Sequence, residues 1–429
     1  MKPSLSRMVR LGRLSQLGLT FVIGLICVPA GRATTSGTLK AFGDDTYGQI
    51  GDGHPSFVFR PEKISTGTKS MAGGFDYSLI VKTDGTLWAV GDNYYGQLGD
   101  GTTTNRSTPV QIATGVTAVA AGWGHSLFLK TDGTLWTVGW NNWGQLGDGT
   151  TTDRSTPMQI ATGVSSIAAG DYTSFFIKTD GTLWAMGAND WGQLGDGSFI
   201  SHDTPVKIAS GVSSVAGGGY KFSLFVKTDG TLLAVGNNNW GQLGTPGVDL
   251  DGVPLPALSP VQVATGVASV AAGGDYSLFV KSDGTLWGMG GNFDGELGDG
   301  TTTERNTPVQ IATGVSSIAA GYSTGFFIKT DGTLWGMGYN NGGELGDGTT
   351  TERNTPIQIA ADVAAVAAGG FHSLFVKTDG TLYGMGSDFF DEVGDGSTTV
   401  RATPVQAAVG VASITAGVGH SLFVKADGT

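Results

Sequence analysis

The tripeptide Asp-Gly-Thr returns along almost the whole chain, at Asp84, Asp132, Asp180, Asp229, Asp283, Asp331, Asp379 and Asp427. Successive copies lie about 48 residues apart, and only the interval from Asp229 to Asp283 is clearly longer. Ser36-Gly37-Thr38 stands one period before Asp84. A repeat of this length argues against reading the 429 residues as two or three unrelated domains. Each unit is one supersecondary element, which buries its apolar face only by stacking on its neighbours. Eight units fill 36–426, so the expected plan is an N-terminal segment, 1–30, and one repeat domain, 31–429.

Each unit carries four short apolar segments. In the first full set, strand A ends over 70–73, B covers 78–82, C covers 86–91 and D covers 108–112. Between B and C, Lys82-Thr83-Asp84-Gly85-Thr86 predicts a hairpin with a two-residue Asp-Gly turn. Glycine supplies 73 of the residues, 39% are hydrophobic and 14% charged. That is too apolar for a disordered chain and suits short strands joined by tight turns.

Tandem four-stranded units of this size predict an all-β fold, a β-propeller of four-stranded blades. Eight sequence units imply eight blades, with seven as the alternative. Small residues such as Ala120-Ala121-Gly122 suit a crowded inner strand A, and Trp88, Trp136, Trp184, Trp287 and Trp335 of strand C suit packing between blades. The domain begins with C and D segments (38–43, 61–64) and ends with A and B segments (411–417, 421–426). Pairing of the N- and C-terminal strands is therefore expected to complete the last blade and leave no open sheet edge.

Written out, the repeat resembles the regulator-of-chromosome-condensation repeat family. The matching residues are Gly-Gln-Leu-Gly-Asp-Gly at 96–101, 144–149 and 192–197, and Ala-Gly-x-x-His-Ser-Leu at 121–127. The resemblance covers essentially all of 36–429 and implies a propeller, most often seven-bladed, that acts by binding. In character the chain is similar to the secreted bacterial members, such as β-lactamase inhibitor protein II. Fold likeness alone transfers no function.

The N-terminus supports export. Lys2, Arg7, Arg10 and Arg13 precede an uncharged apolar run over 17–28, and Val28-Pro29-Ala30 offers a signal-peptidase site. The run is short of the ~20 residues a spanning helix needs, a retained anchor being the alternative. Removal of 1–30 takes the formal charge from −12 to −16 and removes Cys27, the one cysteine. A secreted, periplasmic or cell-surface monomer without disulfides is expected, with no stable membrane span. So acidic a chain is a poor partner for nucleic acid.

The A–B and C–D loops share the face opposite the Asp-Gly turns, and they vary from unit to unit. That face is the candidate partner-binding site, through Tyr77, Tyr94, Tyr95, Trp123, Trp140, Trp143, Tyr172, Trp191, Tyr220 and Trp240, with Asp171, Asp190 and Asn239 as polar neighbours. Large aromatics beside hydrogen-bonding groups suit a protein hot spot or a sugar ring. The alternative for Trp143, Trp191 and Trp240, and also for Trp123 and Trp140, is packing beneath the next blade. The insertion at 245–258, with Asp249 and Asp251, can protrude beside Trp240. On the turn face, Lys82, Lys130, Lys178, Lys227, Lys281, Lys329, Lys377 and Lys425 read as a solvated surface.

Catalytic chemistry is not visible. His125, His372 and His420 share one slot on different units, too far apart to hold a metal together, and His125 and Ser126 point to opposite faces. Asp100, Asp148, Asp299, Asp347 and Asp395 each precede an Arg by six residues, which suggests a loop-bracing ion pair. The Asp-Gly-Thr-Thr-Thr loops hold too few carboxylates for an EF-hand-like site. No catalytic residue, metal site or cofactor is expected. The expected function is recognition of a protein or extracellular glycan. The alternatives are a polysaccharide-active enzyme on a propeller scaffold and a guanine-nucleotide exchange regulator, which export would contradict.

Overall fold

A computed structural model describes residues 37–54, 58–218, 221–247 and 255–426. The N-terminal segment with its expected cleavage site, Tyr220, and Asp249 and Asp251 all lie outside the described residues. Among those described, every regular element is a β-strand. No helix there is long and apolar enough to cross a membrane.

The first strands are β1 (Gly37–Gly43), β2 (Val58–Gly73), β3 (Tyr77–Lys82), β4 (Leu87–Gly91) and β5 (Arg106–Ala113). Among the described residues, six sheets of four antiparallel strands follow in chain order, over 116–161, 164–209, 212–264, 267–312, 315–360 and 363–408. The seventh sheet has seven strands. It joins the C-terminal strands Val411–Ala416 and His420–Lys425 to β1, and β1 in turn to β2, β3, β4 and β5. The terminal pairing runs in register from Thr38 opposite Lys425 to Gly43 opposite His420.

β2 is twice the usual length because it serves both neighbours. Its first half pairs with β1 and its second half with β3. Between the halves sits Gly67 at φ 70°, the conformation that Gly115 (70°) and Gly163 (67°) adopt where a D strand turns into the next A strand. That left-handed corner is open to glycine at little cost.

The B–C connection corrects the two-residue turn. Lys82 N donates to Thr86 O at 2.9 Å and Gly85 N to Lys82 O at 2.9 Å, so the loop is the three residues Thr83-Asp84-Gly85. A two-residue type I′ turn needs positive φ at both central residues, and here only Gly85 has it, at 79°. Asp84 instead spends its carboxylate on the turn. Its Oδ1 accepts from Thr86 N (2.9 Å) and Thr86 Oγ1 (2.7 Å).

Inner A strands follow one another, each against the next, and Val411–Ala416 also meets β2. The B strands are buried along nearly their whole length, while D strands are mostly half-buried with scattered exposed positions. The apolar cores lie between sheets. One unites Tyr77, Leu79 and Ala89 of one sheet with Val119 and Phe128 of the next. Another, inside the seven-stranded sheet, unites Leu39 and Ala41 with Ile80, Leu422 and Val424, which are far apart in sequence.

Candidate functional site

The A–B and C–D loops of three successive units bring aromatic side chains into one patch. The centroids of Trp123 and Trp140 are 5.2 Å apart. Tyr95 lies 5.4 Å from Trp140 and 5.9 Å from Trp123, and Tyr172 meets Trp140 edge-on at 5.3 Å. Tyr94 packs edge-on against Tyr95 at 4.9 Å and is 72% exposed. Phe75, which sequence reasoning passed over, completes the patch at 5.4 Å from Trp123. It occupies the same A–B loop position as Trp123, so alignment of the units would have found it.

These rings are held by backbone geometry. Tyr95 N donates to Gln97 Oε1 at 3.0 Å, and Trp123 N to Asp171 O at 3.3 Å, which ties one A–B loop to the next. Burial raises the hydroxyl pKa of Tyr95 and of Tyr172 and drives the Asp171 carboxyl well above the usual range. At Tyr95 the charges of Asp92 and Asp153 add to the rise.

The remaining expected residues divide. Trp143 is 40% exposed and Trp191 half-buried, and among the described residues neither stacks on another aromatic ring. Trp240 meets Phe293 edge-on at 4.8 Å, away from the patch. Asp190 forms an ion pair with Lys221 of the following A–B loop. Tyr77 is a correction. Its side chain is fully buried and its hydroxyl donates to His125 O at 2.5 Å, so it joins two units from within and has no surface to offer a partner.

The repeat profile of the regulator of chromosome condensation (RCC1) matches residues 84–129, 132–177, 180–226, 229–280, 283–328 and 331–376, well over half of the chain. The chain belongs to the RCC1 repeat family. Comparison with curated proteins finds no match. Among solved structures, human WBSCR16 is similar at 20% identity and TM-score 0.62, over 92% of this chain and 99% of that one. Yeast RCC1 (Prp20), crystallised with Kap60, is similar at 20% identity and TM-score 0.64, over 91% and 90%. Prp20p of Saccharomyces cerevisiae gives 19% identity and TM-score 0.63, over 94% and 93%. These likenesses establish an RCC1-type propeller fold. Membership in the RCC1 repeat family is in line with a protein that is not an enzyme.

The polar residues that recur in the RCC1 units serve this scaffold. His125 Nε2 lies 3.0 Å from Ser174 Oγ in the next sheet, and Ser174 Oγ donates to Gln145 O at 2.7 Å. The serine proton is thus committed to a carbonyl and the imidazole is the donor, the reverse of a nucleophile–base pair. Burial lowers the His125 pKa to about 4. The Asp–Arg pairs brace the C–D loops as expected, for example Arg154 Nε to Asp148 Oδ2 at 2.7 Å. In one unit His202 replaces the Arg and reaches Asp196 Oδ2 at 2.6 Å. The turn-face lysines do more than meet solvent. Lys82, Lys130, Lys178, Lys281 and Lys329 set their ammonium groups 4.3–4.8 Å over the strand C tryptophans.

Later units exchange neutral loop residues for acids. Glu296, Glu344 and Glu392 stand where earlier units have Gln97, Gln145 and Gln193. All three are buried, and desolvation pushes their carboxyls up to about 8, 7 and 7. In the last full C–D loop, Asp388 and Asp391 join Asp395. The general acid-poor loop on which the expectation of no metal ligands rested does not describe this one.

Proposed function

We propose that the chain is an exported eight-bladed propeller that binds a protein partner as a monomer, through the aromatic patch centred on Trp123 and Trp140. The observation that carries this reading is the continuous contact of Phe75, Tyr95, Trp123, Trp140 and Tyr172. They come from the loops that differ most between units, on one side of an otherwise uniform scaffold. Rigid aromatic rings offer a partner large contact area at little entropic cost. The carboxylates of Asp92 and Asp153 beside Tyr95 favour a partner with Lys or Arg around an apolar anchor. Protein binding is also recorded for the similar yeast protein Prp20, in one structure bound to Kap60 and in the other described with its binding to Gsp1p and histones.

Eight blades follow if the seven-stranded sheet is two blades that meet at the Gly67 corner. The shared φ of Gly67, Gly115 and Gly163 supports that division, and the pairing of β1 with His420–Lys425 supports closure by the two ends. Export rests on the basic start, the short apolar run and Val28-Pro29-Ala30. A mature N-terminus at Gly31 in the extracellular fraction is expected, and intact Met1 on cytosolic protein would count against it.

The binding test uses residues 31–429 and a partner recovered from native extracellular material. Trp123→Ala and Trp140→Ala should each weaken binding by about 2 kcal/mol, roughly thirtyfold, with the fold retained. Unchanged affinity in both variants overturns the assignment to this face. If the same variants lose binding to an oligosaccharide instead of a protein, the ligand class is glycan.

A further inference from the structure

Asp388, Asp391 and Asp395 lie in the loop between the strands Leu382–Gly386 and Arg401–Ala408. Each brings a carboxylate oxygen to within 4.8 Å of those of the other two. Five sister loops show what the fold requires at this place. Asn93, in the position of Asp388, donates its Nδ2 amide to Asp100 Oδ1, Thr102 O and Thr104 O, all at 3.1 Å. Asn141, Asn189, Asn292 and Asn340 do the same with their own loops. The loop is therefore wound around a donor that three oxygens share.

Asp388 can do only half of that work. Its Oδ1 accepts from Val393 N at 3.0 Å, as Asn93 Oδ1 accepts from Leu98 N. The other arm is now an oxygen in place of the amide donor. Asp388 is fully buried, and its Oδ2 has no hydrogen-bond partner. Asp391 occupies a position held by glycine in every other unit, Gly96 among them. It too is fully buried. Its Oδ1 accepts from Gly396 N at 3.1 Å, and its Oδ2 is unpartnered. Two orphaned carboxylate oxygens therefore share one enclosed loop with a third carboxylate. Buried acceptors without a donor are unfavourable unless a cation meets them.

We propose that this loop is a binding site for a hard divalent cation, Ca2+ foremost, held by carboxylate oxygens of Asp388, Asp391 and Asp395. The donor set is all oxygen, which excludes a preference for soft metals. Asp395 gives one oxygen to Arg401 at 2.5 Å and keeps its Oδ1 side, where it already accepts from Ser397 N, toward the loop. Ser397 and Thr399 stand in the places of Thr102 and Thr104, so their carbonyls are the natural further ligands. An irregular loop of carboxylates and carbonyls suits Ca2+, whereas Mg2+ demands near-octahedral geometry and retains waters that a buried loop does not admit. The unit of Asp45 is an internal control. Asp45 also replaces the asparagine and has an orphaned Oδ2, but Gly48 stands where Asp391 would.

The test is calorimetric titration of the purified protein with CaCl2 and with MgCl2 at neutral pH, with melting in CaCl2 and in EDTA. A single calcium ion per chain is expected, with weaker Mg2+ binding and a higher melting temperature in calcium than in EDTA. Asp388→Asn and Asp391→Gly restore the residues of the sister loops, so both variants should fold. Each should weaken calcium binding at least about tenfold and shrink the calcium-dependent shift. Asp45→Asn should change neither. No calcium heat and no melting shift in the parent protein overturns the proposal, as does calcium binding that survives Asp388→Asn and Asp391→Gly combined. In either case protons, and not a metal, neutralise the loop.

Discussion

His420 Nε2 stands 3.3 Å from Ser78 Oγ, across 342 positions of sequence. The same bond links His372 to Ser421 at 2.9 Å and His125 to Ser174 at 3.0 Å, each between one B strand and the next. Ser78 Oγ also donates to Gln49 O at 2.9 Å, so one hydroxyl ties the C-terminal hairpin, the first C–D loop and β3 together. Loss of this link by Ser78→Ala should leave His420 buried without its partner and lower the unfolding free energy by about 1–3 kcal/mol. Deletion of 37–65 should remove far more, on the order of total domain stability. Urea denaturation measures both. A deletion variant as stable as the parent would show that the ends do not depend on each other.

The buried histidines set an acid limit. Burial lowers the pKa of His125, His372 and His420 to about 4, 3 and 4, against about 6.5 in an unfolded chain. Between those values the unfolded state binds more protons, so these groups contribute stability that is complete above about pH 6.5 and is lost as pH falls. His125→Tyr places there the residue that Tyr77 and Tyr276 supply in sister units. Its loss of stability on acidification from neutral pH should be smaller than the parent's by about 2 kcal/mol. Parallel stability–pH curves would count against the assignment.

Glu296 acts in the opposite sense. Its folded pKa is raised to about 8 by burial, with Asp275 adding to the rise, so the native state holds the proton where the unfolded chain releases it. Stability from this group falls as pH rises from the unfolded carboxyl range toward 8. Glu296→Gln introduces the residue of Gln97 and keeps the acceptor for Asp294 N, which lies 3.0 Å from Glu296 Oε2. The variant should melt higher than the parent at alkaline pH, by about 1–3 kcal/mol of stability, and nearly equal to it near pH 5. A gain of equal size at both pH values would mean that ionisation is not the cause.

Trp335 separates packing from recognition. Its ring stacks on Phe327 at 6.2 Å, its Nε1 donates to Thr333 Oγ1 at 2.9 Å, and Lys329 Nζ caps it at 4.3 Å. Trp335→Ala should cost about 2–3 kcal/mol of stability and leave partner affinity unchanged. Lys329→Ala should cost about 0.5–1 kcal/mol, the size of an exposed cation–π contact. Chemical denaturation checks both, and an effect of Trp335→Ala on affinity would blur the distinction from Trp123.

Much of the fold was legible because the repeat spells each strand several times. Segments at 78–82 and 108–112 fall within β3 and β5, the segment at 86–91 starts one residue before β4, and the brace between Asp100 and Arg106 follows from their fixed spacing. The acidic loop was legible too, in Asp388-Phe-Phe-Asp-Glu-Val-Gly-Asp395 against Asn93-Tyr-Tyr-Gly-Gln-Leu-Gly-Asp100, but only when the exceptions to the repeat are read as closely as the rule. The three-residue turn was not, because Asp-Gly permits two backbone solutions and strand twist chooses between them.

By itself, the sequence determined the period, the strand order within each unit, the sharing of one face by the variable loops, and the family. These follow from local patterns: alternation of apolar residues, glycine where φ is positive, and recurrence. Only the tertiary structure decided which aromatics meet. Tyr77 and Trp123 belong to neighbouring units and look alike as candidates, yet one turns inward to bond His125 O and the other packs at a tilt against Trp140. The difference lies in position across the sheet. Tyr77 begins a B strand and its side chain enters the space between two sheets, while Trp123 sits two residues before one, in a loop among its neighbours' rings. Side-chain direction at a strand's first residue is set by how adjacent sheets pack, which no single unit encodes.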